Sequence, residues 1–229
     1  MIVRMSAGME ITMKQTDIIN PFQPYMTLEM DGYSQINRTD YGISHFYEFT
    51  IHDEKKHCIK AVPDASIDLL FNIGENKVST YISGTVFGVK KWELGTQDDC
   101  FGVRFQPGQG ILPKDITMEM IVNDDIEIDG DIFGKNLTEK IALAKTMSER
   151  IDIFKKAYED IVLGRSSLSD KEKINEYLVN RISRTKGMIT MRQLEDETNY
   201  SACYLRRIFK SFHGISPKQF AQYIRFQNL

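Results

Sequence analysis

The chain has 229 residues, 41% apolar and 27% charged, with 29 Lys and Arg against 32 Asp and Glu for a formal net charge of −3. That composition is globular, and the length allows two modest domains. No apolar run reaches membrane-spanning length, the three Cys (58, 100 and 203) are scattered and odd in number, and no continuous apolar segment opens the chain. A reducing, cytoplasmic setting with no membrane partner is therefore expected.

The net charge hides an asymmetry. Residues 1–165 carry 18 Lys and Arg against 26 Asp and Glu, a net of −8, whereas residues 166–229 carry 11 against 6, a net of +5. A basic C-terminal segment is the charge distribution of a nucleic-acid partner.

In chain order, residues 1–20 offer Met1, Met5, Met9 and Met13 as starts, and this stretch is expected to be a leader outside the fold. From about Phe22 to Phe105, short β-branched and aromatic runs (HFYEFTI, HCIKAV, IDLLFNI, VSTYIS, FGVRF) alternate with turn clusters (HDEKK, PDAS, GENK, GTQDD). That pattern predicts antiparallel strands closing into a barrel or sandwich, assigned to residues 21–112 as a sensor domain.

Arg104 lies among apolar neighbours in one of these strands, and a buried guanidinium needs an anionic partner. Two readings stand. One is an internal salt bridge to Asp68 or Asp64; the other is an anionic or sugar-like effector held by Arg104, with Trp92 or Tyr81 stacking on it. Asp68, Tyr81, Trp92 and Arg104 are the candidate effector residues.

Catalytic and metal chemistry find little support. His52, His57 and Cys58 flank a charged hairpin tip, with no second ligand pair at metal spacing. The run Asp125-Ile-Glu127-Ile-Asp129-Gly130 echoes a calcium loop, but the closing carboxylate position holds Asn136, so a solvated acidic loop is expected. Asp64 and Asp68 could pair catalytically, yet nothing beside them resembles a nucleophile or a base, and no phosphate-binding loop or hydrolase motif is present. No enzyme activity, metal or cofactor is expected.

After Pro113 the periodicity turns helical, and residues 113–165 read as a connector. Leu137, Ile141 and Ala144 suggest one helix; Ile151, Phe154, Tyr158 and Ile161 follow the 3-4-3 spacing of a short coiled-coil seam. The stripe suits a homodimer interface, which is the favoured reading, or a helix that covers the barrel. Gly164 to Ser169 reads as a mobile linker, with the boundary near Arg165.

Residues 166–229 form an all-α unit. Asp170 to Arg184 is its first helix, with Ile174, Tyr177, Leu178 and Ile182 inward, and Met191 to Thr198 a supporting helix with Leu194 inward and Asn199 at the turn. Ser201 caps the next helix, whose Leu205, Ile208, Phe209 and Phe212 form a buried stripe opposite Cys203, Arg206, Arg207 and Lys210. Gly214 stops it, and Ser216 and Pro217 open a last helix through Phe220, Ile224 and Phe226. From Ser201 onward there are five basic residues and no acidic one. A helix with such a face can enter a major groove and present Arg to the O6 and N7 of guanine. The candidate DNA contacts are Ser201, Ala202, Cys203, Arg206, Arg207, Lys210, Ser216 and Lys218.

The run YSACYLRRIFKSFHGISPKQF resembles the first helix-turn-helix of the AraC family of transcription regulators, in Ser201, Tyr204, Leu205, Arg207, Phe209, Lys210 and Gly214 through Pro217. The segments Pro63 to Phe71 and Phe101 to Gly108 are similar to the N-terminal domain of a subgroup whose cupin-like β-barrel precedes the DNA reader. The resemblance implies an α+β chain: an antiparallel β-barrel, connector helices and a helix-turn-helix unit. It also implies Cys203, Arg206 and Arg207 against bases and Lys210 against the backbone. Two departures stand out. Glu195 occupies a position that is usually a small Ala, so it must tilt outward or pair with an Arg; and the chain stops at Leu229, inside the helix expected to lead to a second reading unit.

The expected function is a sequence-specific DNA-binding transcription regulator that senses a small-molecule effector, with double-stranded DNA and a second copy of itself as partners. The alternatives are a truncated sensor or interaction module that modulates a full-length regulator, and a cupin-like sugar-binding protein or enzyme.

Overall fold

The computed structural model describes residues 2–4, 10–12, 21–30, 32–50, 58–93, 99–110, 112, 113, 115–164 and 168–229. Most of the expected leader, the hairpin tip with His52 and His57, and positions 165–167 of the expected linker lie outside these residues. The chain divides into two compact units, Asn20–Ser166 and Ser167–Leu229, the second grouped with Met1–Ile19. Within that leader, β1 (Ile2–Arg4) and β2 (Glu10–Thr12) pair antiparallel.

The larger unit is mixed. Strands β3 (Ser34–Asn37), β4 (Ile43–Thr50), β6 (Asp68–Ile73), β7 (Val78–Ser83), β9 (Asp99–Phe105) and β10 (Asp125–Ile128) form a six-stranded antiparallel sheet in the order β10-β7-β6-β9-β4-β3. A separate ladder joins β5 (Cys58–Ala61) to β8 (Lys90–Glu93). The expected closure into a barrel is not seen among the described residues: β10 and β3 stand at the ends of the order and do not pair with each other.

The alternation of side chains across a strand gives the sheet two unlike faces. One presents Phe46, Leu69, Phe71, Ile82, Phe101, Val103 and Phe105, all at most 2% exposed. Helices α3 (Leu137–Leu143) and α4 (Met147–Leu163) join this face in one apolar cluster through Leu137, Ile141, Ile151, Phe154 and Tyr158. Phe154 meets Phe46 edge-on at 5.9 Å and stacks near Tyr158 at 5.5 Å.

The 3-4-3 stripe of α4 is therefore occupied within its own unit. Ile151, Phe154 and Tyr158 are at most 3% exposed and Ile161 is packed against the same cluster. This corrects the expected dimer seam: burying three side chains of this size against the sheet already stabilises the helix by roughly 1.5–3 kcal/mol each, and no face of theirs is left for a partner. Helix α2 (Met118–Ile121) precedes β10 and a 3-10 turn, Gly130–Phe133, follows it; Met118, Ile121 and Phe133 join the same apolar cluster.

The other face of the sheet packs differently. Met26 and Met30, within and at the end of helix α1 (Pro24–Glu29), cluster with Tyr47, Phe49, Cys100 and, from the small ladder, Trp92. Gln23, just before α1, fixes this cover. Its side-chain amide donates to Val62 O and accepts from Val62 N, both at 2.8 Å, and donates to Asp64 Oδ2 at 2.8 Å.

The smaller unit is built of α5 (Asp170–Arg184), α6 (Met191–Thr198), α7 (Ala202–His213) and α8 (Pro217–Gln227). Local sequence explains the boundaries. Ser169, Thr190 and Ser216 each form a capping box with Glu172, Gln193 and Gln219, so two orphan amides are satisfied at each start. Ser201 caps α7, Asn199 ends α6 in a left-handed conformation (φ 58°), and Gly214 ends α7 at φ 65°, where a Cβ would be strained.

The core of this unit contains Ile174, Leu178, Ile182, Leu194, Leu205, Ile208, Phe209, Phe220 and Ile224, each at most 3% exposed. One expectation fails here: Phe212 of the expected buried stripe is only half-buried. Phe226, within α8, is 50% exposed. His213, next in the chain to Phe212, is buried and lies 4.3 Å from the Phe209 ring and 5.9 Å from that of Phe220.

Candidate functional site

Strand register places one polar row across the second face of the sheet. Asp125 of β10 pairs with Ser83 of β7, Ser83 with Asp68 of β6, Asp68 with Arg104 of β9, and Arg104 with His45 of β4. Directly paired residues share a face, so five polar side chains line up beneath α1 and the small ladder.

The centre of the row is an ion pair with two teeth. Arg104 donates from Nε to Asp68 Oδ1 at 2.8 Å and from Nη2 to Asp68 Oδ2 at 2.6 Å, while Nη1 lies 3.6 Å from Asp64 Oδ2. Tyr47 OH also donates to Asp68 Oδ1, at 3.3 Å. Burial alone would lower the Arg104 pKa, but the charges of Asp68 and Asp64 outweigh it and raise it. Asp64 is pushed up, chiefly by burial, against the opposing pull of Arg104 and hydrogen bonds from Ser66 N and Gln23. His45 is driven down to about 3 by burial and by Arg104, so it is neutral near pH 7.

Of the two readings of Arg104, the structure contains the internal salt bridge, and contains it twice. The four candidate effector residues, Asp68, Tyr81, Trp92 and Arg104, also come together: all line one cavity of about 160 Å³ in this unit. Gln23, Met26, Tyr47, Phe49, Asp64, Asn72, Ser83 and Asp125 share its wall. Tyr47 and Gln23 escaped the sequence reading, because only strand register and the return of the chain from α1 bring them here.

The acidic stretch does not form a calcium loop. Asp125–Ile128 is a strand, Asp129 Oδ1 accepts from Asp131 N at 2.9 Å, and Asp131 Oδ2 accepts from Asn136 N at 2.9 Å, so these carboxylates hold backbone amides. Among the described residues no cluster of His, Cys, Asp or Glu has metal-binding geometry, and no helix is long and apolar enough to cross a membrane.

In the smaller unit, the candidate DNA residues fall on one exposed helix and the start of the next. Cys203, Arg206, Arg207 and Lys210 are exposed on α7 opposite buried Leu205, Ile208 and Phe209. Arg206, Lys210 and Lys218 make no hydrogen bond or ion pair among the described residues, while Arg207 lies 5.3 Å from the Tyr204 ring. Ser201 is exposed and caps α7, Ala202 is half-buried, and half-buried Ser216 caps α8 with exposed Lys218 in its first turn.

Glu195 pairs with no Arg among the described residues. Its carboxylate accepts from the backbone amide of Ala202, the first helical amide of α7. A network missed in the sequence lies behind it: Glu197 accepts from Arg181 Nε and from Tyr177 OH, both at 2.7 Å, and from Arg181 Nη2, tying α6 to α5.

Comparison with known proteins adds a family of unassigned role and a faint structural likeness. A model described as a domain of unknown function (DUF6597) matches residues 41–127, the segment holding Asp64, Asp68, Trp92 and Arg104. No curated protein matches. Among solved structures, ToxT from Vibrio cholerae O395 is 10% identical with a TM-score of 0.24, covering 78% of this chain and 96% of its own. ToxT from Vibrio cholerae strain SCE256, with an unsaturated fatty acid bound, is 12% identical with a TM-score of 0.24, covering 82% and 97%. Likeness this slight defines neither a common fold nor a common ligand.

Proposed function

We propose that the chain is a sequence-specific DNA-binding regulator, not an enzyme, in which α6 and α7 are a helix-turn-helix and α7 is the reading helix. The observation that carries this is the exposed face of α7: Arg206 and Lys210 stand in solvent with no partner among the described residues, in a segment from Ser201 to Leu229 that has no acidic residue. A helix packs equally well with charges of both signs on its outer face, so fold stability does not account for one whose charges are all positive. Phosphate does, because each neutralised phosphate releases counterions, and an Arg that reaches a guanine edge adds about 1–3 kcal/mol of discrimination.

The cavity of the larger unit is the effector site in this reading. A ligand there regulates DNA binding only if it binds two states of the protein with different affinity. One reading unit discriminates weakly against the roughly 10⁶ or more competing genomic sites, so this reading calls for a second reader, from a longer chain or from a homodimer. Since α4 presents its stripe inward, that dimer must use a surface other than Ile151, Phe154, Tyr158 and Ile161.

The test is selection of bound DNA from a random-sequence pool at two salt concentrations, with Arg206→Ala and Arg207→Ala alongside. The reading predicts enrichment of one motif, steep loss with salt, and relaxed selectivity in the Arg206 variant at a single base position. Weak binding that both variants leave unchanged would remove α7 as a reader.

A further inference from the structure

A buried Arg in a ligand cavity suggests an anionic ligand, but the charges on this wall are arranged against one. Among the described residues, three carboxylates, Asp64, Asp68 and Asp125, line the cavity with one cation, Arg104. Arg104 already donates to both oxygens of Asp68 and faces Asp64, so its charge is matched before any ligand arrives. An entering carboxylate or phosphate would have to displace Asp68 and would then sit among like charges in a poorly solvated space.

A cation meets the opposite situation. Asp125, exposed at the outer end of the polar row, lines the cavity and forms no salt bridge among the described residues. Tyr47, Tyr81 and Trp92 contribute rings, whose faces attract cations. Trp92 already carries one: the Lys90 ammonium lies 3.9 Å from the ring centroid. That lysine is held by Asn123 O at 2.6 Å and Asp124 Oδ1 at 3.3 Å. Burial raises the Asp125 pKa and the Lys90 charge opposes it, so Lys90 offsets part of the charge at the rim and the three carboxylates still outnumber Arg104 and Lys90. The space, about 160 Å³, corresponds to roughly five water molecules' share of liquid, which suits a ligand of roughly five to eight non-hydrogen atoms.

We propose that this cavity binds a small organic cation, an alkylammonium or alkylguanidinium, between the carboxylates of Asp125 and Asp68 and the aromatic rings of Tyr81 and Trp92. The proposal rests on the reading of the cavity as an effector site and names the chemistry of the effector.

Trp92 is the chain's one tryptophan, so its fluorescence reports on this wall. The experiment titrates the full chain with butylammonium and butylguanidinium chloride, with pentanoate and 1-pentanol as the anionic and neutral counterparts, and repeats each by calorimetry. The expected result is saturable binding of the cations, none of pentanoate, and at least about fivefold weaker binding of cations to Asp125→Asn, whose exposed position leaves the thermal melt unchanged. Pentanoate or pentanol binding as tightly as the cations, cation binding unaltered by Asp125→Asn, or no binding of any cation would overturn the proposal. No DNA is present, so cation binding in a chain that fails the DNA selection would remove the regulatory reading alone. Pentanoate binding in a chain that passes it would remove only the assignment of charge.

Discussion

The carboxylate of Glu195, in the last turns of α6, accepts a hydrogen bond from the backbone amide of Ala202 at the start of α7. The first four amides of a helix have no intrahelical partner and carry the positive end of its dipole, so a carboxylate is well placed there. In the DNA-binding reading proposed above, the same geometry sets a negative charge where a phosphate would approach α7.

Glu195→Ala should therefore have two effects of opposite sign. Losing the charged cap should destabilise the unit by about 1 kcal/mol. Removing a negative charge beside the α7 amides should strengthen DNA binding at low salt by a few-fold. Thermal denaturation and a binding titration at two ionic strengths read the two effects separately; a variant that melts lower and binds DNA no better would show that no phosphate approaches this end of α7.

The Arg104 cluster makes a prediction with a pH signature. Arg104→Met leaves Asp64 and Asp68 buried or half-buried side by side without their cation, and breaking such a pair typically costs about 3–5 kcal/mol. Burial already raises the Asp64 pKa, and Arg104 is the main opposing influence, so the variant raises it further. A carboxyl whose folded pKa lies above its unfolded value contributes stability below the unfolded pKa and loses it as pH rises through the folded pKa. The deficit of Arg104→Met relative to the parent should thus be larger at pH 7.5 than at pH 5. Urea denaturation of both proteins at the two pH values measures it, and an equal deficit at both would mean that Asp64 does not titrate with the pair.

How much of this was legible follows from what each signal encodes. Caps were readable because they are local: Ser201, Ser216, Asn199 and Gly214 act within a few residues of themselves. The pairing of Arg104 with Asp68 was readable because a guanidinium in an apolar strand requires an acceptor, and few were offered. The stripe of Ile151, Phe154 and Tyr158 was legible as buried, but its two readings, a dimer seam or a helix covering the strands, were not separable, since periodicity says that a face is covered and not by what. Tyr47 was missed for a related reason. Its ring lies over Gly102, where an added Cβ would come within 2.0 Å of Cζ, and that contact exists only through the β4–β9 register.

The Arg181–Glu197 pair bridges α5 and α6 with both partners about one-third exposed. Its hydrogen bonds hold the Glu197 carboxyl below its ordinary range, chiefly through Arg181. Solvent screening discounts such a pair, so a double-mutant cycle of Arg181→Met and Glu197→Gln should give a coupling of about 0.5–1 kcal/mol. A coupling near zero at ordinary salt would assign the α5–α6 packing to Leu194, Leu178 and their apolar neighbours alone.

His213 provides a pH test for the smaller unit. Its Nε2 meets Asn175 Oδ1 at 2.7 Å between the rings of Phe209 and Phe220, and burial pushes its pKa down to about 3. The unfolded chain, with an ordinary value near 6.5, binds a proton that the folded chain refuses between about pH 6.5 and pH 3. Stability should therefore fall as pH drops through that window, by about 2 kcal/mol from pH 7 to pH 5 for this residue. His45, also pushed to about 3, acts with the same sign in the larger unit, so the variant and not the parent isolates the effect. His213→Phe should lose about 1–3 kcal/mol at pH 7, because the Asn175 amide is left without its partner. Its further loss on going to pH 5 should be about 2 kcal/mol smaller than that of the parent. Denaturation of both proteins across the range, followed by helical circular dichroism, decides the matter: parallel pH profiles would mean that His213 is protonated, and accommodated, in the folded state.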